Sequence, residues 1–177
     1  MKKFMYSQKG FTLVELLIVI ALLGALAVGL LAALDPFEQL KKGTDTGVRN
    51  TVSEVHGSII RFYAIKNNMP WCPDGGSAGV GTCLADPTWT DLSTEPMATA
   101  ITNIVAAGEL KADFTALAAN NLTKIFVVGD QTNSTVEVCY KPTAKSFIAD
   151  PNTKFDNTGA ENASCSSTAG GCYWCVK

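Results

Sequence analysis

The chain has 177 residues, 47% hydrophobic and 17% charged, with a net charge of −2. That length holds one ordinary domain plus an accessory segment. The near-neutral balance lacks the basic surplus of nucleic-acid-binding surfaces, so bulk charge does not point to nucleic acid as a partner.

Charge and apolar residues are unevenly distributed. The first nine residues carry Lys2, Lys3 and Lys9 and no acid. Residues 11–34 then read FTLVELLIVIALLGALAVGLLAAL, with Glu15 as the only charge. As a helix this run extends about 36 Å, enough to cross a bilayer core of about 30 Å. The flanking lysines keep the N-terminal side cytoplasmic and place the rest of the chain outside.

Three readings of this segment compete. An ordinary secretory signal, cut near Ala25-Leu26-Ala27, accounts for the lysines. However, the apolar run exceeds an h-region of about 7–15 residues and continues past the cut. A plain membrane anchor accounts for the length and leaves Glu15 unexplained, because an acid in a span costs about 2.5–3.5 kcal/mol on insertion scales. The third reading accounts for the acid. A cut after Gly10 makes Phe11 a new N-terminus with a positive amine. Glu15 then stands about one helical turn away, where the helix dipole favours a carboxylate. The pair, within one chain or between neighbours, makes a buried charge tolerable and fixes axial register.

The stretch Lys9-Gly10-Phe11-Thr12-Leu13-Val14-Glu15-Leu16-Leu17 resembles the class III signal of type IV pilins and type II secretion pseudopilins. The resemblance implies cleavage by prepilin peptidase between Gly10 and Phe11 and N-methylation of Phe11. It implies that Glu15 engages the Phe11 amine of a neighbouring subunit during assembly. It also implies the organisation: a leader over 1–10, a membrane and filament-core helix over 11–34, its amphipathic second half over 35–68, and a head over 69–177. The fold expected is α+β, a long N-terminal helix packed on a small antiparallel sheet.

Asp35-Pro36 follows the apolar run, and proline interrupts or kinks a helix. Pilin-like helices often carry a proline in this region; here the usual place is held by Ala32. Over 44–66, Val48, Val52, Val55, Ile59 and Phe62 recur at spacings of four, three, four and three, one apolar stripe on a helix. Asn67-Asn68-Met69-Pro70 ends it, and this stop with Trp71 after it also resembles pseudopilins. His56, the one histidine, reads as an ordinary helix residue without a partner for catalysis or metal.

Residues 72–91 read as a loop rich in turn formers that a Cys72–Cys83 bridge would staple. Its glycines lack the Gly-Lys-Ser/Thr of a phosphate loop. A helix is expected over 93–107, capped by Ser93 with Pro96 in its first turn and stopped by Gly108. A shorter one is expected over 111–119. The pattern then changes to strands at 124–128, 136–140 and 146–149, a three-stranded meander with 173–176 as a candidate fourth.

Six cysteines, Cys72, Cys83, Cys139, Cys165, Cys172 and Cys175, all follow the apolar run. An even count suggests disulfides in an oxidising compartment, among fifteen possible pairings. Cys172-Tyr-Trp-Cys175 invites a redox reading, but only two residues follow it, leaving no helix to activate a thiol. Zinc would need two more ligands, with Cys165 and Cys139 as candidates. Structural disulfides are the expectation, and a bridge from Cys139 in the central strand to the tail is one of the pairings left open. Asp150, Asn152, Asp156, Asn157 and Glu161 supply oxygen atoms in a loop. They lack an EF-hand's turn glycine and read first as a solvated turn region. No cofactor is expected, with calcium at Asp150, Asn152, Asp156 and Glu161 as the alternative.

The function expected is structural, with no enzyme activity: a single-pass protein of the bacterial inner membrane that joins a periplasmic or cell-surface filament. Its partners are copies of itself or other pilins, prepilin peptidase and an inner-membrane assembly platform. The helix end and small head lean toward a secretion pseudopilin, the cysteine-rich tail toward a pilin of adhesion, motility or DNA uptake. The rival is a membrane-tethered binding module that does not polymerise.

Overall fold

A computed structural model describes residues 10–33, 35–75, 82–162, 165 and 171–177. The leader residues 1–9, with Lys2, Lys3 and Lys9, lie outside the described residues, as do parts of the 72–83 and 165–172 loops. Chain contacts divide it into two compact units, one ending at Gln39 and one over Leu40–Lys177.

The first unit is built on α1, Leu13–Ala33. It is apolar all round rather than striped, so it has no face to turn toward a soluble core. Helix α2, Pro36–Lys66, follows. Pro36 is its first residue, where a missing amide proton costs nothing. Asp35 precedes it as the cap, its Oδ1 accepting from the Glu38 amide at 3.2 Å. Helix α2 ends at Asn67, held at φ 55°, a conformation that asparagine tolerates better than most residues.

The second unit packs α2 against a five-stranded sheet: β1 (Thr90–Asp91), β2 (Ile125–Asp130), β3 (Thr135–Tyr140), β4 (Thr153–Phe155) and β5 (Tyr173–Val176). The order is β1-β2-β3-β5-β4, with every neighbouring pair antiparallel. The expected stripe of Val48, Val52, Val55, Ile59 and Phe62 is buried in full. It meets Ile125, Val127, Val138 and Tyr140 from the sheet and Met97, Ala100, Ile101 and Ile104 from α3, Met97–Ala106. Each such side chain contributes about 1.5–3 kcal/mol of burial. Helix α4, Phe114–Ala118, runs into a 3₁₀ turn over Ala119–Lys124. The fold is therefore α+β, a long helix on a small antiparallel sheet.

Trp71 is fully buried, its indole N–H donating to Asp86 at 2.9 Å. Its ring lies so close to the β2 backbone that a Cβ at position 129 would collide with it, which is why Gly129 stands there.

Several local expectations are corrected. Residues 146–149 are not a strand; helix α5 occupies Lys145–Ile148. The place beside β3 is taken by β5, and the Asp45 carboxylate instead holds the amides of Thr143 and Ala144, at 2.8 and 2.7 Å, just before α5 turns. The sheet is consequently no meander, and its remaining strand is β4. Residues 90–91, expected as loop, pair with Val127 and Phe126 as β1. Strand β2 runs two residues beyond the expected 128, through Gly129 and Asp130. Ser93 does not cap α3: its amide donates to Asp91, and Pro96 precedes the helix instead of lying in its first turn. The open first-turn amide of Thr99 is met by Glu95 at 3.3 Å. Gly108, at φ 80°, closes the segment as expected.

Candidate functional site

The N-terminus of α1 has the arrangement of a capping box. Thr12 precedes the helix and Glu15 sits three residues on. The Glu15 carboxylate accepts from the Thr12 amide at 2.9 Å and from its hydroxyl at 2.8 Å. The Thr12 hydroxyl in turn accepts from the Glu15 amide at 3.2 Å. Two of the amides that a helix start leaves unsatisfied are thus served. As a sequence signature Thr12 is only part of the Gly-Phe-Thr-Leu run; its capping role emerges from the geometry. The signal was available in the Thr-x-x-Glu spacing ahead of an apolar run.

Phe11 is 84% exposed, and Glu15 is engaged by Thr12 of its own chain. A Cβ on Gly10 would meet nothing within 4 Å. The folded chain does not require glycine at that position, so any requirement for a small residue there belongs to whatever handles the segment.

Beyond Glu15, the window Leu13–Leu31 contains no buried residue and is long and apolar enough to cross a membrane. At 21 residues α1 extends about 31 Å, close to the thickness of a bilayer core. Leaving so many leucine, isoleucine and valine side chains in water is unfavourable at about 25 cal/mol per Å². Lipid or other apolar helices are the environments that remove this cost.

The cysteines form three bridges. Cys72–Cys83 staples the loop, Cys139–Cys175 joins β3 to β5, and Cys165–Cys172 closes a short loop before β5. The CxxC residues are thus paired to different partners, and all six thiols are consumed, including the zinc candidates Cys139 and Cys165.

The oxygen-bearing loop residues are not gathered around a point. Asp150 pairs with Arg49 at 3.3 Å and also accepts from the Asn152 amide. Asp156 accepts from the amides of Thr158 and Ala160, and its contact with Thr158 holds its carboxyl below the usual range. Glu161 pairs with Lys154 at 2.8 Å, which lowers it likewise. Among the described residues no group of three or more His, Cys, Asp or Glu is placed to share a metal ion. His56 is half-buried on α2; burial lowers its pKa, and its Nε2 has no hydrogen-bond partner among the described residues.

Residues 5–31 match the family described as the prokaryotic N-terminal methylation motif. The match takes in Gly10, Phe11, Thr12, Glu15 and most of α1, and stops before the head. No curated protein and no solved structure matches the chain. The chain carries an N-terminal motif typical of prepilin-like proteins, an apolar helix long enough to span a membrane, and a head of pilin-like α+β architecture.

Proposed function

We propose that this chain is a structural, non-catalytic subunit of a type IV pilus-like filament, held in the bacterial inner membrane by α1 and assembled through that helix. The observation that carries the reading is the acid at the start of an otherwise uncharged, unburied apolar helix, inside a matched methylation motif. Prepilin peptidase cuts between Gly10 and Phe11 and methylates Phe11. The new amine competes with Thr12 for the Glu15 carboxylate. Within lipid the hydrophobic effect does not drive helices together, so packing and this charge pair guide a subunit into the bundle. An inner-membrane assembly platform supplies the work, and the oxidised head lies in the periplasm or on the cell surface.

Two systems fit this role: a short secretion pseudopilus and a long surface pilus. Loss of exoprotein release on deletion supports the first, and loss of surface fibres the second. The rival, a tethered binding module, leaves Glu15 without a purpose.

The test is mass spectrometry of the N-terminal peptide from native membranes. The expected peptide begins at N-methylated Phe11. A start at Val28 means an ordinary secreted protein, an intact Met1 a plain anchored one, and either result overturns the reading.

A further inference from the structure

Antiparallel pairing brings the start of β2, the end of β3 and the start of β5 to one end of the sheet, through the row Ile125, Tyr140 and Trp174. A cavity of about 410 Å³ opens there against the first turns of α2 within the second unit. That volume falls in the range of small-molecule sites, about 300–1,000 Å³. Its wall is mostly apolar, formed by Val48, Phe126, Pro142 and Tyr173 with Tyr140. Lys124 and Lys141, one residue before β2 and one after β3, also line it. Both are exposed and neither forms an ion pair among the described residues. The one acid in the lining, Asp45, is committed to Thr143 and Ala144.

An apolar recess with two free cations at its rim is the complement of an amphipathic anion.

We infer that this cavity takes the phosphate–glycerol end of an anionic membrane phospholipid. The phosphate is held by Lys124 and Lys141, and the roots of the acyl chains lie on Phe126 and Tyr173. A lipid is favoured over a free anion because inorganic phosphate has nothing to place on the apolar wall. It is also favoured by supply. Thr44, at the cavity edge, follows Leu31 by thirteen residues, a reach of at most roughly 45 Å from the apolar span. Such a tether keeps the local lipid concentration high. The inference rests on the membrane anchoring proposed above.

The experiment uses the full chain in neutral-detergent micelles and follows its backbone amide resonances by NMR. The probes are dihexanoyl phosphatidylglycerol, dihexanoyl phosphatidylcholine and inorganic phosphate. Phosphatidylglycerol is expected to shift residues 123–126 and 140–143 and Tyr173 saturably, with the other two at least tenfold weaker. The double variant K124A/K141A, confined to exposed side chains, is expected to lose about thirtyfold in affinity, from about 1 kcal/mol per lysine. Equal binding of phosphate or of phosphatidylcholine overturns the lipid assignment. So does undiminished binding by the double variant, or a shift of the same residues with protein concentration alone, which would assign the cavity to a second copy. Failure of the anchoring reading shows separately, as release of the chain from native membranes by carbonate.

Discussion

Replacing Glu15 by alanine separates insertion from assembly, because the two respond with opposite sign. The carboxylate accepts two hydrogen bonds from Thr12, at 2.9 and 2.8 Å, and the Thr12 hydroxyl still meets the residue-15 amide without it. Losing half of a capping box costs about 0.5–1 kcal/mol, the lower part of the range for whole caps. Removing an acid from an apolar span recovers up to about 2.5–3.5 kcal/mol at a helix centre and less in the first turn. The net effect favours insertion by about 1 kcal/mol. Glu15→Ala precursor is therefore expected in the carbonate-resistant membrane fraction at parental level or above. Assembly moves the other way. Leaving a buried amine without its partner costs about 3–5 kcal/mol, more than a hundredfold in the equilibrium of each added subunit. Sheared-filament yield, read by immunoblot against membrane content, is expected to collapse. Glu15→Gln keeps an acceptor for Thr12 and loses the charge, so it should insert normally and assemble poorly. Parental filament yield from Glu15→Ala refutes the charge-pair mechanism, and a fall in membrane content refutes the sign of the insertion argument.

Three further outcomes concern the head. Cys139→Ser with Cys175→Ser opens a loop of sequence separation 36, which loses about 4 kcal/mol in the chain-entropy account. For a unit of this size the loss appears as a drop of about 10–15 °C in Tm by calorimetry. Opening Cys165–Cys172, at separation 7, should cost about 2.5 kcal/mol. Asp45→Ala strands two amides and a hydroxyl that the 2% exposed carboxylate now accepts from. It should cost about 2–4 kcal/mol in urea titration, and a loss under about 0.5 kcal/mol would show that water replaces the carboxylate there. The pKa of His56, which shares a recess with Glu137 and Lys177, is lowered by burial. The unfolded chain then takes up the proton first, near pH 6.5, so this contribution is full above that value and is lost as pH falls through the folded pKa. Between pH 7.5 and 5.5 the Tm of the parent should fall further than that of His56→Gln, and parallel profiles would contradict the assignment.

What was legible in the sequence followed period and chemistry. The stripe from Val48 to Phe62 repeats over four turns, so one face must be buried whatever packs on it, and the structure buries it. The acid in the apolar run pointed to the N-terminus of α1 for the same reason: a charge there needs a partner. Short elements were less legible. Ser146-Phe147-Ile148-Ala149 has strand-like composition, but four residues carry too little propensity to resist their surroundings. Asp45 lies about a hundred residues away in the chain, and its hold on Thr143 and Ala144 turns the backbone before a strand can form. Nor does local sequence announce the cavity beside Tyr140, which exists only once three strand ends are brought together.

The disulfide pattern was more constrained than its fifteen pairings suggest. If 173–176 is a strand, Cys172 and Cys175 stand three residues apart on extended backbone. At about 3.3 Å per residue their Cα atoms are about 10 Å apart, beyond the limit of about 7 Å for a bridge. Such spacing disfavours closure of the CxxC motif on itself, and in the structure Cys172 and Cys175 have different partners. Cys175 lies directly opposite Cys139, with Cα atoms 4.1 Å apart, the close spacing of a non-hydrogen-bonded antiparallel pair. That bridge holds β5 in the place beside β3 that residues 146–149 were expected to fill. With β2 on one edge of β3 and β5 tied to the other, no edge of β3 remains for residues 145–148 to join.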